Sequence, residues 1–297
     1  MLAACALPLA CAPAPQSAGD FAQPEFGPAQ LLDQCEGRDG WSDPAPPARL
    51  FANIYIVGTC GIVALLIATA EGHILIDGAT EEAAASIAAN IEALGFPLPD
   101  IRYIVTSHEH LDHVGGVAQL QQLSGAELIA RQEARAVLEG GPPDPSDPQA
   151  DHLPAFPAAR VDRIIADGDT ITLGPVTLTM HATPGHSPGS TSWSWRSCEG
   201  EQCRTIVYAD SISSVSATGY RFSGHPDYVA AFRATFDKIA ALDCDLLITP
   251  HPRASNLFER LAGEAPLADP QGCAAYAATG RQRLDSRLAE EAAAESE

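Results

Sequence analysis

Residues 101–113 read Ile-Arg-Tyr-Ile-Val-Thr-Ser-His-Glu-His-Leu-Asp-His, and the reading of this stretch decides the fold. Ile101–Thr106 is an apolar, β-branched run of the kind that makes a buried strand. It leads directly into His108, His110, Asp112 and His113, four metal-capable groups in six positions. His108 and His110 lie two apart and can converge on one ion from a turning backbone. Asp112 and His113 can serve a second position beside it. Imidazole and carboxylate donors together suit Zn²⁺ or a similar first-row ion. A solvated, His-rich turn is the bland alternative. Against it, the chain has only nine histidines in 297 residues, and three of them fall in this window.

Two more histidines have matching contexts. His186 sits in Thr183-Pro184-Gly185-His186-Ser187-Pro188-Gly189, and His251 in Thr249-Pro250-His251-Pro252; each follows an expected strand. Groups at strand ends can gather on one edge of a sheet. The contexts of His73, His152, His181 and His225 fit structural or surface roles.

Around these motifs the chain alternates strands and helices. Ile54–Val57, Ile62–Ala68 and His73–Ile76 are short β-rich runs between Gly-containing turns. Thr80 can cap a helix with Glu81 and Glu82 in its first turn. Ile87, Ile91 and Leu94 share a face of that helix, and Gly95 ends it. A short helix is expected through Val117 and Leu120, a strand near Leu128–Ala130 and a helix near Glu133–Glu139. Gly140–Ala159 is a Pro-rich loop, and loops of that length in a compact domain are usually functional or mobile. Strands then recur at Arg163–Ile165, Ile171–Leu173, Val176–His181, Thr205–Ala209 and Leu246–Thr249. Trp193 and Trp195 alternate on a further strand and read as core or as support for the site. Asp227–Leu242 reads as an amphipathic helix with Val229, Phe232, Phe236 and Ile239 inward, and 271–293 as a last helix. The Glu-rich end, about 290–297, reads as a solvated tail. Strands followed by helices in both halves imply two similar α/β layers packed together.

Composition agrees with a folded globular chain: 46% hydrophobic and 19% charged residues. A net charge of −21 disfavours nucleic acid and anionic membranes as partners. No apolar run is long enough to span a bilayer. Eight cysteines are many for a cytosolic enzyme, and no CxxC pair is present. Cys5 and Cys11 lie in an apolar N-terminal stretch. The other six form an even set, as in an oxidising compartment, and spacing alone leaves their connectivity open. Residues 1–18 read as a leader. Leu2-Ala3-Ala4-Cys5 resembles a bacterial lipobox with Cys5 as the lipid anchor; the alternative is a secretory peptide cleaved between Ala10 and Ala18. Gln16–Pro47 reads as an extended leader rich in Pro, Gly and Asp, whose fold the pattern does not give; a single domain is assigned to 19–297.

His-x-His-x-Asp-His followed by distant His, Asp and His resembles the metallo-β-lactamase superfamily, from about Trp41 to the final helix. Tyr208-Ala209-Asp210-Ser211-Ile212-Ser213, Leu247-Ile248-Thr249-Pro250-His251-Pro252 and Ala254-Ser255-Asn256 are most similar to subclass B3. The resemblance implies an αββα sandwich and two Zn²⁺ ions, one on His108, His110 and His186, the other on Asp112, His113 and His251. It implies hydrolysis of β-lactam amides by a zinc-bound hydroxide, oriented by Asp112, in an exported, periplasmic, monomeric resistance enzyme. Ser211 and Ser213 then match positions near the substrate carboxylate, and Asp77 and Asp210 stand behind the metals, where they orient ligands. Disulfides Cys35–Cys60, Cys198–Cys203 and Cys244–Cys273 are likewise implied. The Pro-rich loop with Phe156, and the segment near Trp41, would flank the cleft. No Ser-x-x-Lys or nucleophile elbow suggests serine chemistry. The competing reading within the superfamily is a thioesterase or lactonase, with Asp210 bridging both metals. A metal-storage protein is a third reading, disfavoured because six ligands shared by two ions leave both sites open.

Overall fold

A computed structural model describes residues 26–295. The leader, Cys5 and Cys11 lie outside the described residues. Among the described residues, twelve strands build two sheets. The first is β1 (Ala48–Phe51), β2 (Ile54–Ile56), β3 (Leu65–Thr69), β4 (Gly72–Ile76), β5 (Ile101–Val105), β6 (Glu127–Ala130) and β7 (Val161–Ile164), in that spatial order. The second is β8 (Thr170–Leu173), β9 (Val176–Ala182), β10 (Thr191–Glu199), β11 (Gln202–Tyr208) and β12 (Leu246–Ile248), again in sequence order. β1 to β4 pair antiparallel, and β4 to β7 pair parallel with helical crossovers.

The helices are α1 (Pro28–Gln34), α2 (Ala84–Ala93), α3 (Leu111–Val114), α4 (Val117–Ser124), α5 (Gln132–Leu138), α6 (Pro226–Ala240), α7 (Leu257–Leu261) and α8 (Gly272–Glu295). Ile54, Leu65, Ile67, Ile74, Ile76 and Val105 of the first sheet meet Met180, Trp193, Trp195, Ile206, Tyr208 and Ile248 of the second in one central core. Leu66, Leu75, Ile104 and Leu128 face the other way and pack on Ile87 and Ile91 of α2 and Val117 and Leu120 of α4. Val207 and Leu247 turn outward onto Phe232, Phe236 and Ile239 of α6 and Tyr276, Ala277 and Leu284 of α8. The result is the expected four-layer αββα sandwich. It explains why β3 and β4 are buried at every position: apolar layers cover both faces.

All three disulfides pair as the resemblance implied. Cys198–Cys203 closes the β10–β11 hairpin, and Cys244–Cys273 ties the approach to β12 onto α8. Each such bridge stabilises a fold by about 2–4 kcal/mol, chiefly by restricting the unfolded chain.

Within 16–47, whose fold the pattern left open, Pro28–Gln34 forms α1, seated by fully buried Leu31 and pinned by Cys35–Cys60. Two expectations need correction. Thr80 does not cap its helix with its side chain; its Oγ1 is 2.7 Å from Ser42 Oγ, and a 3₁₀ turn at Glu81–Ala83 opens α2 instead. The expected acidic tail is helical as far as Glu295, because Glu291 is no solvated residue. Its carboxylate accepts from the backbone N–H groups of Phe222 (3.0 Å) and Ser223 (2.7 Å) and from Arg287 Nε (2.8 Å). These bonds dock the end of α8 and pull Glu291 down to about 2, outweighing the burial that would raise it.

A carboxyl group whose folded pKa is depressed contributes stability above its unfolded pKa and loses it as pH falls through the folded one. Glu291→Ala is therefore expected to cost about 1–3 kcal/mol near pH 7. The gap to wild type should narrow as pH falls from about 4.5 toward 2, as urea denaturation at a series of pH values will show.

Candidate metal centre

Each element of the site is delivered by the end of a strand. β5 leads into 106–110, which turns at His110 into α3 carrying Asp112 and His113. β4 leads to Asp77, the β9–β10 connection carries His186, β11 leads to Asp210–Ser213, and β12 leads to His251. Three cross-links hold these ends together across the sandwich. Val63 N donates to Pro250 O (2.7 Å), Thr191 N to Ser107 O (2.7 Å), and Trp193 Nε1 to Thr106 O (3.0 Å).

His108, His110 and His186 form one group able to hold a cation, and His108, Asp112 and His113 form another; within each, the donor atoms lie within 4.8 Å of one another. His108 belongs to both, so the two positions adjoin. Ring centroids lie 4.6 Å apart for His108–His110, 4.7 Å for His108–His186 and 5.0 Å for His110–His186. Asp112 Oδ2 lies 3.0 Å from His113 Nε2 and 3.4 Å from His251 Nε2, which brings His251 to the second group. His251 is the open edge of the set, its side chain 34% exposed.

Outer partners leave one nitrogen on each of three rings for an ion. His108 Nδ1 donates to Asp210 Oδ1 (2.7 Å), His110 Nε2 to Asp147 Oδ2 (2.9 Å), and His186 Nδ1 to Ser213 O (3.1 Å). This carboxylate- or carbonyl-backed pattern orients imidazole ligands generally. Burial holds His108 well below its usual range, reinforced by His113, His110 and His186, and lowers His186 to about 3. Both rings therefore present neutral lone pairs. Burial alone would raise the Asp112 carboxyl, but His113 outweighs it and holds the group far below the carboxylate range. Buried His108 Nε2 has no hydrogen-bond partner, and the two nitrogens of His113 face carboxylates, Asp112 Oδ2 at 3.0 Å and Asp77 Oδ2 at 3.4 Å. An orphaned buried nitrogen among converging imidazoles and a carboxylate fits a divalent cation with nitrogen and oxygen ligands.

Asp77 stands beside His113, on the side away from Asp112. It is fully buried, sits in the left-handed region at φ 64°, and accepts from Ser107 N (2.6 Å), Ser107 Oγ (2.7 Å) and Tyr208 Oη (2.8 Å). Its Oδ2 is 3.4 Å from His113 Nδ1. Gly78 and Gly116 let α4 come up close behind it: a Cβ on Gly116 would lie 2.3 Å from Gly78 O. The other histidines are spent on structure. His73 packs edge-on against Phe96, His181 Nε2 pairs with Ser194 Oγ (2.7 Å), His152 Nε2 accepts from Thr218 N, and His225 stacks on Tyr220.

The two serines separate. Ser213 holds His186 Nδ1 with both its carbonyl and its hydroxyl, each at 3.1 Å. Ser211 lines a cavity of about 280 Å³ together with His251, Arg253 and Arg283. Asp210 lies behind His108 and not among the converging donors. Reading the sequence missed Asp147, Glu109 and Arg283. Glu109 is buried between His108 and His110 in the chain and accepts from Ser187 Oγ and Gly189 N (both 2.8 Å), fixing the His186 turn to the motif. Its burial at the centre of a histidine run was the available signal. Asp147 had only its place in the long Pro-rich loop to mark it.

Residues 57–251 match the metallo-beta-lactamase superfamily model. Among solved structures, the chain is similar to metallo-β-lactamase MIM-1 from Novosphingobium pentaromativorans: 50% identity, 90% of this chain and 99% of that one covered, TM-score 0.87. SMB-1, solved with 2-mercaptoethanesulfonate, is 43% identical over 85% of this chain and 99% of its own, with a TM-score of 0.82. A curated relative, the hydroxyacylglutathione hydrolase of Acidiphilium cryptum, is 30% identical over 71% of this chain and 76% of its own length. Other curated hydroxyacylglutathione hydrolases are matched over half of their length or less. The pairing of sheets, the order of the histidines and the extent of these similarities converge: the chain belongs to the metallo-β-lactamase superfamily, within subclass B3.

Proposed function

We propose that this chain hydrolyses the β-lactam amide of penicillins, cephalosporins and carbapenems at a two-zinc centre and so confers antibiotic resistance. One observation supports the reading: two adjoining groups of three candidate donors meet at His108, with His251 beside the second, and three protein ligands per ion is the count of a catalytic metal site. In this assignment His108, His110 and His186 hold the first ion, and Asp112, His113 and His251 the second. Zinc there supplies Lewis acidity, which polarises a carbonyl and lowers the pKa of water toward about 7.

The chain's own groups supply orientation. Asp112, held anionic beside His113, accepts a hydrogen bond from the attacking water at its carboxylate without readily taking the proton. Ser211 Oγ offers a hydrogen bond to the substrate carboxylate at the mouth. The cavity it shares with Arg253 and Arg283 has no acidic residue in its lining, in a chain of net charge −21. Arg253 pairs with Asp39 at 3.1 Å, whereas Arg283 has no ion-pair partner among the described residues. A free guanidinium beside Ser211 suits an anionic substrate. Three disulfides agree with an oxidising compartment, and we place the monomeric enzyme in the periplasm, free or anchored through Cys5. Among the described residues no helix is long and apolar enough to cross a membrane.

The second reading is a thioesterase with Asp210 between two metals, favoured by the curated relatives. The 2.7 Å bond from His108 Nδ1 to Asp210 Oδ1 speaks against it, since that carboxylate already backs the far nitrogen of a ligand ring.

Carbapenem hydrolysis by the purified chain should be rapid, abolished by a chelator and restored by zinc, with slow turnover of a hydroxyacyl thioester. Thioester cleavage without lactam cleavage would overturn the assignment. Elemental analysis after dialysis should find two zincs in wild type and one each in His186→Ala and Asp112→Ala. Arg283→Glu should raise KM for carboxylate-bearing cephalosporins about tenfold, equivalent to about 1.4 kcal/mol, with little change in kcat. An unchanged KM would remove Arg283 from substrate binding.

A further inference from the structure

We propose that Asp147 is a positioning residue acting through His110, and that it couples the order of the Pro-rich loop 141–157 to metal loading. The proposal rests on the metal-centre reading above and goes beyond it. Asp147 comes from the middle of a loop, 37 residues from His110 in the chain, yet only 3% of its surface is exposed. One carboxylate oxygen accepts from His110 Nε2 at 2.9 Å; the other accepts from the backbone N–H of Gln149 at 2.7 Å. Its own N–H donates to Asp144 O (2.9 Å), so the carboxylate is held in a tight turn and cannot follow His110 unless the turn moves as well.

This bond does two things. It occupies Nε2, so Nδ1 is the one nitrogen of His110 left to face an ion, and it aims the ring. An anionic acceptor behind a ligand imidazole also raises its basicity toward a cation. Coordination at Nδ1 draws charge from the ring, makes Nε2–H a better donor and tightens the bond to Asp147 in return.

Phe156 packs against the outer core, and between it and the site lies a cavity of about 250 Å³ lined by Pro142, Leu153, Phe156, Leu111 and Val137. The loop's other attachments lead to another irregular segment: Ala217 N donates to Pro148 O (2.8 Å) and Thr218 N to His152 Nε2 (3.0 Å). The Asp147–His110 bond thus ties the loop directly to the metal centre. Any stabilisation of that bond by an ion at His110 must be matched by an equal stabilisation of the ion by the ordered loop. Gln149 behaves oppositely. Its Nε2 lies 3.4 Å from His186 Nε2, on the face an ion would need, so it competes with loading.

The test uses the full chain stripped of metal and titrated with zinc against a competing chelator, with hydrogen exchange of 141–157 followed before and after loading. Wild type should gain protection in the loop on loading. Asp147→Asn keeps the shape and loses the charge. It should bind zinc about ten- to hundredfold more weakly, and its loop should no longer respond. Gln149→Ala should keep wild-type affinity or exceed it, showing that loop substitution as such is not the cause. Zinc affinity of Asp147→Asn within about twofold of wild type, or wild-type loop exchange indifferent to zinc, would overturn the proposal; the second readout needs no variant to fold. A wild-type chain that takes up no zinc would instead overturn the metal-centre reading itself.

Discussion

A carboxylate shut away from water must find its hydrogen bonds inside the protein, and Asp77 shows what that constraint builds. It lies at the end of a central strand of the first sheet. Its donors are Ser107, from the adjacent strand end, and Tyr208, from the second sheet. Its remaining neighbour is His113. One buried group therefore sets the spacing of two sheets and the bearing of a metal-binding ring. The left-handed backbone at Asp77 is uncommon for a non-glycine residue, and such strain persists only where the surroundings over-determine it. Here three donors do so.

The site extends the same logic outward. Every histidine proposed for the first metal has an oxygen behind it: Asp210 for His108, Asp147 for His110, Ser213 for His186. These partners come from two segments, the stretch after β11 (Asp210 and Ser213) and the Pro-rich loop (Asp147), so both must be in place on the sandwich before the rings converge. Glu109 makes the same point from within the motif. Its side chain ties down the His186 turn, where Gly189 leaves room for it; a Cβ there would lie 2.3 Å from Glu109 Oε2.

Charge is distributed to match. The chain is acidic overall, yet the cavity beside Ser211 and His251 shows two arginines and no carboxylate. α8 delivers one of them. Tyr276 donates to Asp210 O (3.0 Å), and Gly280 allows Ile212 to approach so closely that a Cβ would lie 2.6 Å from its Cδ1. Arg283 follows one turn later. The last helix, bound near β12 by Cys244–Cys273 and at its far end by Glu291, thus brings an arginine to the cavity beside Ser211 as well as covering a sheet.

The sequence by itself determined the layer architecture and the donors. Apolar runs that end in His108–His113, His186 and His251 are local patterns, and short-range periodicity reads them directly. The cysteine pairs were legible only through the family resemblance, since six cysteines do not choose their partners by spacing. Tertiary structure decided what stands behind each donor. Asp147, Ser213 and Asp210 lie 37, 27 and 102 residues from the rings they orient, and nothing local marks such a pairing. The same holds for α1, which is short and rests on a single buried leucine and a disulfide, and for Glu291, whose acidic surroundings read as a solvated tail. In each case the deciding contact is made between distant segments, and only the closed sandwich brings them within reach.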